Sequence, residues 1–594
     1  MADNLGTVKT VPDAFERAKK QFDSRAALKV KRNSQWQTIT WTEYHDTARK
    51  VAKAFIKLGL KPHQGVAIIG YNSPEWLMAD LGAILAGGVP AGIYTTSTAE
   101  QAHYIAHHSE SAILVGENDE QVQKFLAKAA ELPHHRAIVQ MSGTPTHPSV
   151  LSWEKLLALA SDVKDEALDE RILAQKPNDT ATLIYTSGTT GEPKAVMITH
   201  ENIVWTADAL VRSLGFGSED VGVSYLPLSH IAEQMLTIHG PIRMGAAIAF
   251  SESVEKLPEA LRDIRPTYFL GVPRVWEKMQ GKMMAAGSAA PPLRKKIAAW
   301  ARGVGLRGGY ADQNRTGRPL LYPLAEKLVF SKVRERLGLD RARFCVTAAA
   351  PIAKDTLEFF LSLGIPILEV YGMSECTGPA TYSPPDAYKT GLCGVVIPGG
   401  ELKIAEDGEV LMRGPHVFRG YYKDPEATRA ALDEDGWLHS GDIGTIDKDG
   451  YLRITDRKKD LLITAGGENI APQLIEGILK GIPIIAQAVV VGDRQKYLGA
   501  LLTLDPERVE REAQEIGSPA RTIEEAATCP VFHAHIEAQI NLVNEKLARV
   551  QTIKKFQVIA GEFSIDGGEL TPTMKIKRKV VSEKYKSQIA ALYA

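Results

Sequence analysis

The chain has 594 residues, too many for a single hydrophobic core, so at least two domains are expected. It is 44% hydrophobic and 24% charged with a formal net charge of −1, a balance that gives no electrostatic case for nucleic acid as a partner. Cys345, Cys376, Cys393 and Cys529 form no C-x-x-C pair and no zinc-like spacing, which predicts reduced thiols in a cytoplasmic protein. The start, M-A-D-N-L-G-T-V-K-T, lacks the apolar stretch of a signal peptide, and no apolar run reaches the roughly 18–20 residues that span a bilayer.

Residues 11–60 read as helix, with Val51, Ala52, Phe55, Ile56 and Leu58 on an apolar face. V-A-I-I-G (66–70) reads as a buried strand, followed by a cap at Asn72 or Ser73 and a helix over 75–86. V-P-A-G-I-Y (89–94) and S-A-I-L-V (111–115) continue this rhythm, which argues for an α/β fold with parallel-rich sheets covered by helices. A-T-L-I-Y (181–185) and A-V-M-I-T-H (195–200) read as two strands of a hairpin. Its tip carries Thr186, Ser187, Gly188, Thr189, Thr190 and Gly191, with Lys194 just beyond. Glycines bring backbone N–H groups close to a ligand, hydroxyls add donors and the lysine adds charge, a set that suits phosphate oxygens. A Walker-type loop is excluded by spacing. The string Y-T-S-G-T-T-G-E-P-K resembles the phosphate loop of the AMP-forming adenylating enzymes, which include acyl-CoA synthetases.

Further strings follow in that family's order. S-Y-L-P-L-S-H-I-A-E-Q (224–234) places His230 where the resemblance implies a side chain lining the acyl pocket; the plainer reading is a core histidine. Trp276, in G-V-P-R-V-W-E-K, reads as core, whereas long-chain relatives imply a tunnel gate there. Residues 280–343 are basic, with Lys282, Arg294, Lys295, Lys296, Arg302, Arg307, Arg315, Arg318, Lys332, Arg334 and Arg336. A solvated helical pair explains them most simply, and peripheral contact with an anionic membrane is the sharper alternative. R-F-C-V-T-A-A-A-P (343–351) ends a strand in Ala349 and Ala350, small enough for a flat ring to approach the backbone. In P-I-L-E-V-Y-G-M-S-E (366–375), Tyr371 offers a face to adenine, Gly372 a turn, Ser374 a hydroxyl for phosphate and Glu375 a carboxylate for Mg2+, with Thr186 as a second metal contact.

Asp442, on a glycine-flanked turn in G-W-L-H-S-G-D-I-G, suits the two ribose hydroxyls, and Arg457 is a second ribose or phosphate contact. The family usually has Gly-Arg where this chain has Asp456-Arg457. The resemblance makes Lys459, in D-R-K-K-D, the hinge between a large N-terminal domain (1–456, with a β-barrel-like part) and a small mobile α+β C-terminal domain (460–594); residues 457–459 form the hinge. Gly466 and Gly467 would admit the coenzyme A arm. Near the end, T-P-T-M-K-I-K-R-K implies Lys577 as the catalytic lysine, with Lys575 as the competing assignment because an extended segment places both on one face. I-T-A-G-G-E-N-I, I-P-I-I-A-Q-A and G-D-R-Q-K-Y-L narrow the resemblance to long-chain fatty acyl-CoA synthetases of the bubblegum type. It implies ATP, Mg2+ and coenzyme A, with Lys194, Ser374, Glu375 and Lys577 catalytic. A fatty acyl-AMP ligase and a non-catalytic scaffold are the alternative readings.

Overall fold

The computed structural model describes residues 6–186, 192–465, 468–565, 567–571 and 575–594. The central sheet has eight strands, ordered in space as Gly420–Tyr421, Lys194–Thr199, Thr180–Thr186, Val89–Ile93, Gly65–Ile69, Ser111–Gly116, Ala137–Gln140 and Val150–Ser152. From Thr180–Thr186 onward the strands run parallel, and their near-continuous burial matches the unbroken apolar runs of the sequence. Pro74–Leu85 covers the sheet, capped by Ser73, whose hydroxyl accepts from the Trp76 N–H at 3.2 Å.

The reading of 11–60 as helix needs correction. Helix Val11–Phe22 is followed by a hairpin, Ala26–Arg32 with Gln35–Thr40, before helix Trp41–Lys57 begins. Asn33 and Ser34 both have positive φ (50° and 62°), the two-residue turn whose twist suits a hairpin. Only two of the seven residues in Ala26–Arg32 are buried, so the apolar alternation is too faint to mark the strand.

A parallel sheet of Tyr268–Leu270, Phe344–Thr347 and Ile367–Glu369 leads into two antiparallel sheets where a barrel-like part is expected. These comprise Tyr371–Met373, Gly378–Tyr382 and Val395–Val396, and then Glu401–Ile404, Glu409–Arg413, Leu438–Ile446 and Leu452–Arg457. Cys393 and Leu452 join them, the Cys393 N–H donating to the Leu452 carbonyl at 2.8 Å. Beyond 461, strands Ile485–Val491, Leu498–Leu504 and Ile553–Val558 pack with helices Pro472–Leu479 and Pro530–Asn544 around an apolar cluster of their own. No disulfide links the four cysteines. Among the described residues, no helix is long and apolar enough to cross a membrane.

Among the described residues of the large part, His45, His200, His239 and His416 are buried, and burial displaces the titration of the last three. His200 accepts from the Val11 N–H through Nδ1 at 3.3 Å, while the ring nitrogens of His239 and His416 have no protein partner among the described residues. Burial lowers His200 and His416 to about 4 and His239 to about 3. Because the folded state binds fewer protons than the unfolded one, their stabilisation is complete above about pH 6.5 and lost as pH falls through the folded values. These rings therefore contribute a stabilisation that is level above about pH 6.5 and falls between about pH 6.5 and 4, against the opposite contribution of the Asp80 and Glu369 carboxyls, which burial raises to about 8. His416→Gln should lose less Tm than the parent between about pH 6.5 and 4; an identical pH dependence in the two proteins would contradict the buried neutral ring.

Candidate active site

The side chains read as nucleotide contacts converge from three strands. Asp442 lies opposite Arg457 in the antiparallel pair Leu438–Ile446 and Leu452–Arg457. Its Oδ1 is 3.0 Å from Arg457 Nε, and its Oδ2 accepts the Tyr371 hydroxyl at 2.7 Å. Burial, reinforced by the Asp442 carboxylate, pushes the Tyr371 phenol well above its ordinary range and keeps it a donor. Each carboxylate oxygen retains a lone pair, so Asp442 can accept from two further hydroxyls while staying paired. Gly372 is required sterically, since a Cβ there would overlap the Gly378 carbonyl oxygen.

Glu375 and Ser374 lie on a short 3-10 turn, Ser374–Cys376, and both are buried. Glu375 Oε1 accepts the Tyr421 hydroxyl at 2.8 Å, and its main-chain carbonyl accepts from the Phe418 N–H at 2.8 Å. Tyr421 belongs to Gly420–Tyr421, which pairs with Lys194–Thr199, and Lys194 Nζ stands over its ring at 4.9 Å. Thr186 pairs with Lys194 across the hairpin, as the sequence leads one to expect. Tyr421 thus ties the carboxylate to the strand that carries the lysine. Sequence reasoning gave it no role; the F-R-G-Y-Y string was its only signal. Among the described residues no group of three metal-ligating side chains occurs, so Mg2+ would be held by one protein carboxylate together with substrate phosphates, as is usual for this ion. Glu375, with one oxygen left free of Tyr421, fits that requirement.

The two candidate lysines separate in the structure. The C-terminal segment folds back on itself: Leu570 bridges Ile576, the Lys575 N–H donates to Thr571 Oγ1 at 3.0 Å, and the Lys577 N–H donates to the Glu569 carbonyl at 2.7 Å. Lys575 comes within electrostatic range of Asp442, Glu375 and Arg457. It keeps surface in contact with solvent, yet protein walls surround it, so desolvation and then the Arg457 charge lower its ammonium against the pull of the two carboxylates. Lys577 instead caps helix Arg578–Lys584, where the chain turns away and breaks the extended alternation that would have kept both lysines on one face. Arg578 anchors the turn through the buried Glu476 and the Val490 carbonyl.

A model of the AMP-binding enzyme matches residues 15–422, and a model of the AMP-binding enzyme C-terminal domain matches 459–594. The chain belongs to the AMP-binding enzyme family. It is 46% identical to the long-chain-fatty-acid–CoA ligase ACSBG2 of Xenopus laevis, over 98% of this chain and 84% of that protein. It is 39% identical to ACSBG2 of Homo sapiens, over 99% and 93%, and to ACSBG1 of Bos taurus, over 99% and 85%. The fold matches an anthranilate CoA ligase bound to anthranoyl-AMP (TM-score 0.73, 20% identity, 99% and 100% coverage). It also matches the adenylation domain of a carboxylate reductase from Mycobacterium chelonae (TM-score 0.76, 21% identity, 100% and 92% coverage).

Within this AMP-binding enzyme the remaining sequence-derived residues separate. His230 caps the helix Ile231–Gln234, its Nδ1 accepting from the Ala232 N–H at 3.2 Å, which leaves an Nε2–H donor. Burial and then the Lys575 charge lower it to about 4, so the ring is neutral at physiological pH and close enough to the site to feel that lysine. Trp276 is fully buried, donates through Nε1 to the Val346 carbonyl at 3.2 Å and packs edge-on against Phe269 and Phe360. In this conformation it is core, the plainer of the two readings. Ala349 has φ +74°, a strained value for a residue with a Cβ, directly after Phe344–Thr347. Its neighbour Ala350 is exposed. Lys459 sits in the 3-10 turn Lys458–Asp460, between the antiparallel sheet and helix Pro472–Leu479; burial and then Arg457 lower its ammonium. Asp456, which replaces the usual glycine, accepts the Gln473 N–H at 2.9 Å and so ties the turn to that helix. Ser187, Gly188, Thr189, Thr190, Gly191, Gly466 and Gly467 lie outside the described residues.

Proposed function

We propose that this AMP-binding enzyme is a long-chain fatty acid–CoA ligase. ATP and a fatty acid would give acyl-AMP and pyrophosphate, and coenzyme A would then give fatty acyl-CoA and AMP. The supporting observation is that Lys575 lies within electrostatic range of the Asp442–Arg457 pair and of Glu375, a carboxylate-and-cation set that fits a nucleotide and its phosphates. The names of the full-length relatives support the long-chain acid.

A fatty acid carboxylate is a poor acyl donor, so it attacks the α-phosphate of ATP first and expels pyrophosphate. Tyr371, Asp442 and Arg457 hold adenine and ribose. Lys194 and the hairpin tip receive the outer phosphates, and Ser374 bonds a phosphate oxygen. Glu375, with Thr186 as a second contact, would hold Mg2+, which would supply charge neutralisation to the phosphates. Lys575 reaches both the acid carboxylate and the α-phosphate and offsets the charge that develops in phosphoryl transfer. His230, with its Nε2–H donor, lines the acyl side. In the second step residues 460–594 rotate about a hinge at 457–459, centred on Lys459, which withdraws Lys575 and lets coenzyme A enter past Gly466 and Gly467. A water-insoluble acid is met at a lipid surface, and 280–343 is the segment through which this chain would do so.

Pyrophosphate release and thioester formation, followed side by side from acetate to very long-chain acids, test this reading. Thioester is expected with long-chain acids and not with acetate or amino acids. Pyrophosphate release without thioester would make the protein a fatty acyl-AMP ligase, and silence with every acid would leave a binding scaffold.

A further inference from the structure

The helices beyond Trp276 expose an apolar surface that the adenylation chemistry does not use. Sixteen large hydrophobic side chains are exposed among the described residues, and seven of them fall between residues 284 and 328. Leu320 is 98% exposed, Leu321 51%, Leu324 47% and Leu328 44%. Tyr322–Ala325, the π turn Glu326–Phe330 and Ser331–Leu337 run on as one helical rod. Its inner side packs Tyr322, Ala325 and Phe330 against Ala301 and Val304 in a small core of their own. Leu320, Leu324 and Leu328, four residues apart, are left on the opposite side.

Charge follows the same surface. Between 282 and 336 the chain has twelve lysines and arginines against three acids, although the whole chain is net −1. Asp312 is taken up by Arg318 at 2.7 Å and Glu326 by Arg334. Lys327, Lys332 and Arg336 stand exposed beside the leucines. A second exposed cluster, Leu293 and Ile297 with Arg294, Lys295 and Lys296, occupies the first turns of helix Pro292–Gln313.

We propose that this face lies on an anionic lipid bilayer, with the leucine stripe entering the acyl boundary and the basic side chains meeting lipid phosphates. An exposed apolar stripe with a basic border has the chemistry of an interfacial helix, and each lysine or arginine near such a surface adds to the attraction. A second copy of the chain would set this positive field against itself, and protein interface cores are depleted in lysine, so neither alternative matches the charge. The platform is fixed to the site: Gly305 and Gly309 allow close approach to Ser362 and Leu361, at the end of helix Lys354–Leu361, which follows the strand Phe344–Thr347. The purpose of the contact rests on the long-chain reading, while the contact itself is measured without substrate, so either can fail alone.

The test is co-sedimentation of the full chain with vesicles of phosphatidylcholine, with or without phosphatidylserine. Binding is expected to require phosphatidylserine and to weaken as salt screens it. Leu320→Asp with Leu324→Asp and Leu328→Asp should lower partitioning at least ~10-fold. Lys327→Glu with Lys332→Glu and Arg336→Glu should remove the preference for phosphatidylserine. In both variants thioester formation from dissolved acid should stay at the parent level. Equal binding to neutral vesicles, or undiminished binding by both variants, would overturn the proposal. So would a dimer in solution that the leucine variant loses, since the face would then belong to a second copy.

Discussion

Lys575→Ala is expected to slow acyl-adenylate formation by about 10²–10³-fold, the typical cost of removing one preorganised group that stabilises developing charge. Thioester formation from supplied acyl adenylate should remain within a few-fold of the parent, because the lysine is withdrawn from the site in that step. Lys577→Ala should spare both half-reactions, since Lys577 caps helix Arg578–Lys584 and it is Lys575 whose charge meets those of Asp442 and Glu375. Measuring the two half-reactions separately in each variant decides the assignment. Crippled adenylation in Lys577→Ala with a normal Lys575→Ala would return the role to Lys577.

The second large effect concerns what holds that lysine. Glu476 is buried on helix Pro472–Leu479, accepts the Val490 N–H at 2.6 Å and pairs with Arg578, three residues after Lys575. Burial raises the Glu476 carboxyl, and the Arg578 charge pulls in the opposite direction. Removing one member of a buried pair leaves the other charge desolvated, at a cost of about 3–5 kcal/mol. Glu476→Gln should therefore unfold the part beyond residue 461 at lower urea and slow adenylation. Adding Arg578→Met should restore much of the stability without restoring the rate, because the segment carrying Lys575 would still lack its anchor. Full recovery of adenylation in the double variant would show that the pair serves stability alone.

Much of the site can be read from local strings. Y-G-M-S-E specifies an aromatic ring, a turn and a carboxylate within five residues, and the fold supplies each: Tyr371 against Asp442, Gly372 against Gly378, and Glu375 on a tight turn. The hairpin 180–199 was equally visible, because buried strands flanked a glycine-rich tip. Ala26–Thr40 was not, since a mostly exposed hairpin has too weak an alternation to stand out between two amphipathic helices.

The sequence by itself determined the alternating α/β architecture, the family and the chemical types at the site. These depend on patterns within a few residues of one another, where backbone period and side-chain type suffice. The tertiary structure decided which of two neighbouring lysines feels the charges of Asp442 and Glu375, that Tyr421 links Glu375 to the Lys194 strand, and that Trp276 is sealed against Phe269 and Phe360. Each of these turns on contacts between distant segments. A single helix start at Arg578 rotates one lysine away from the other, and burial depends on what the rest of the chain packs over a residue.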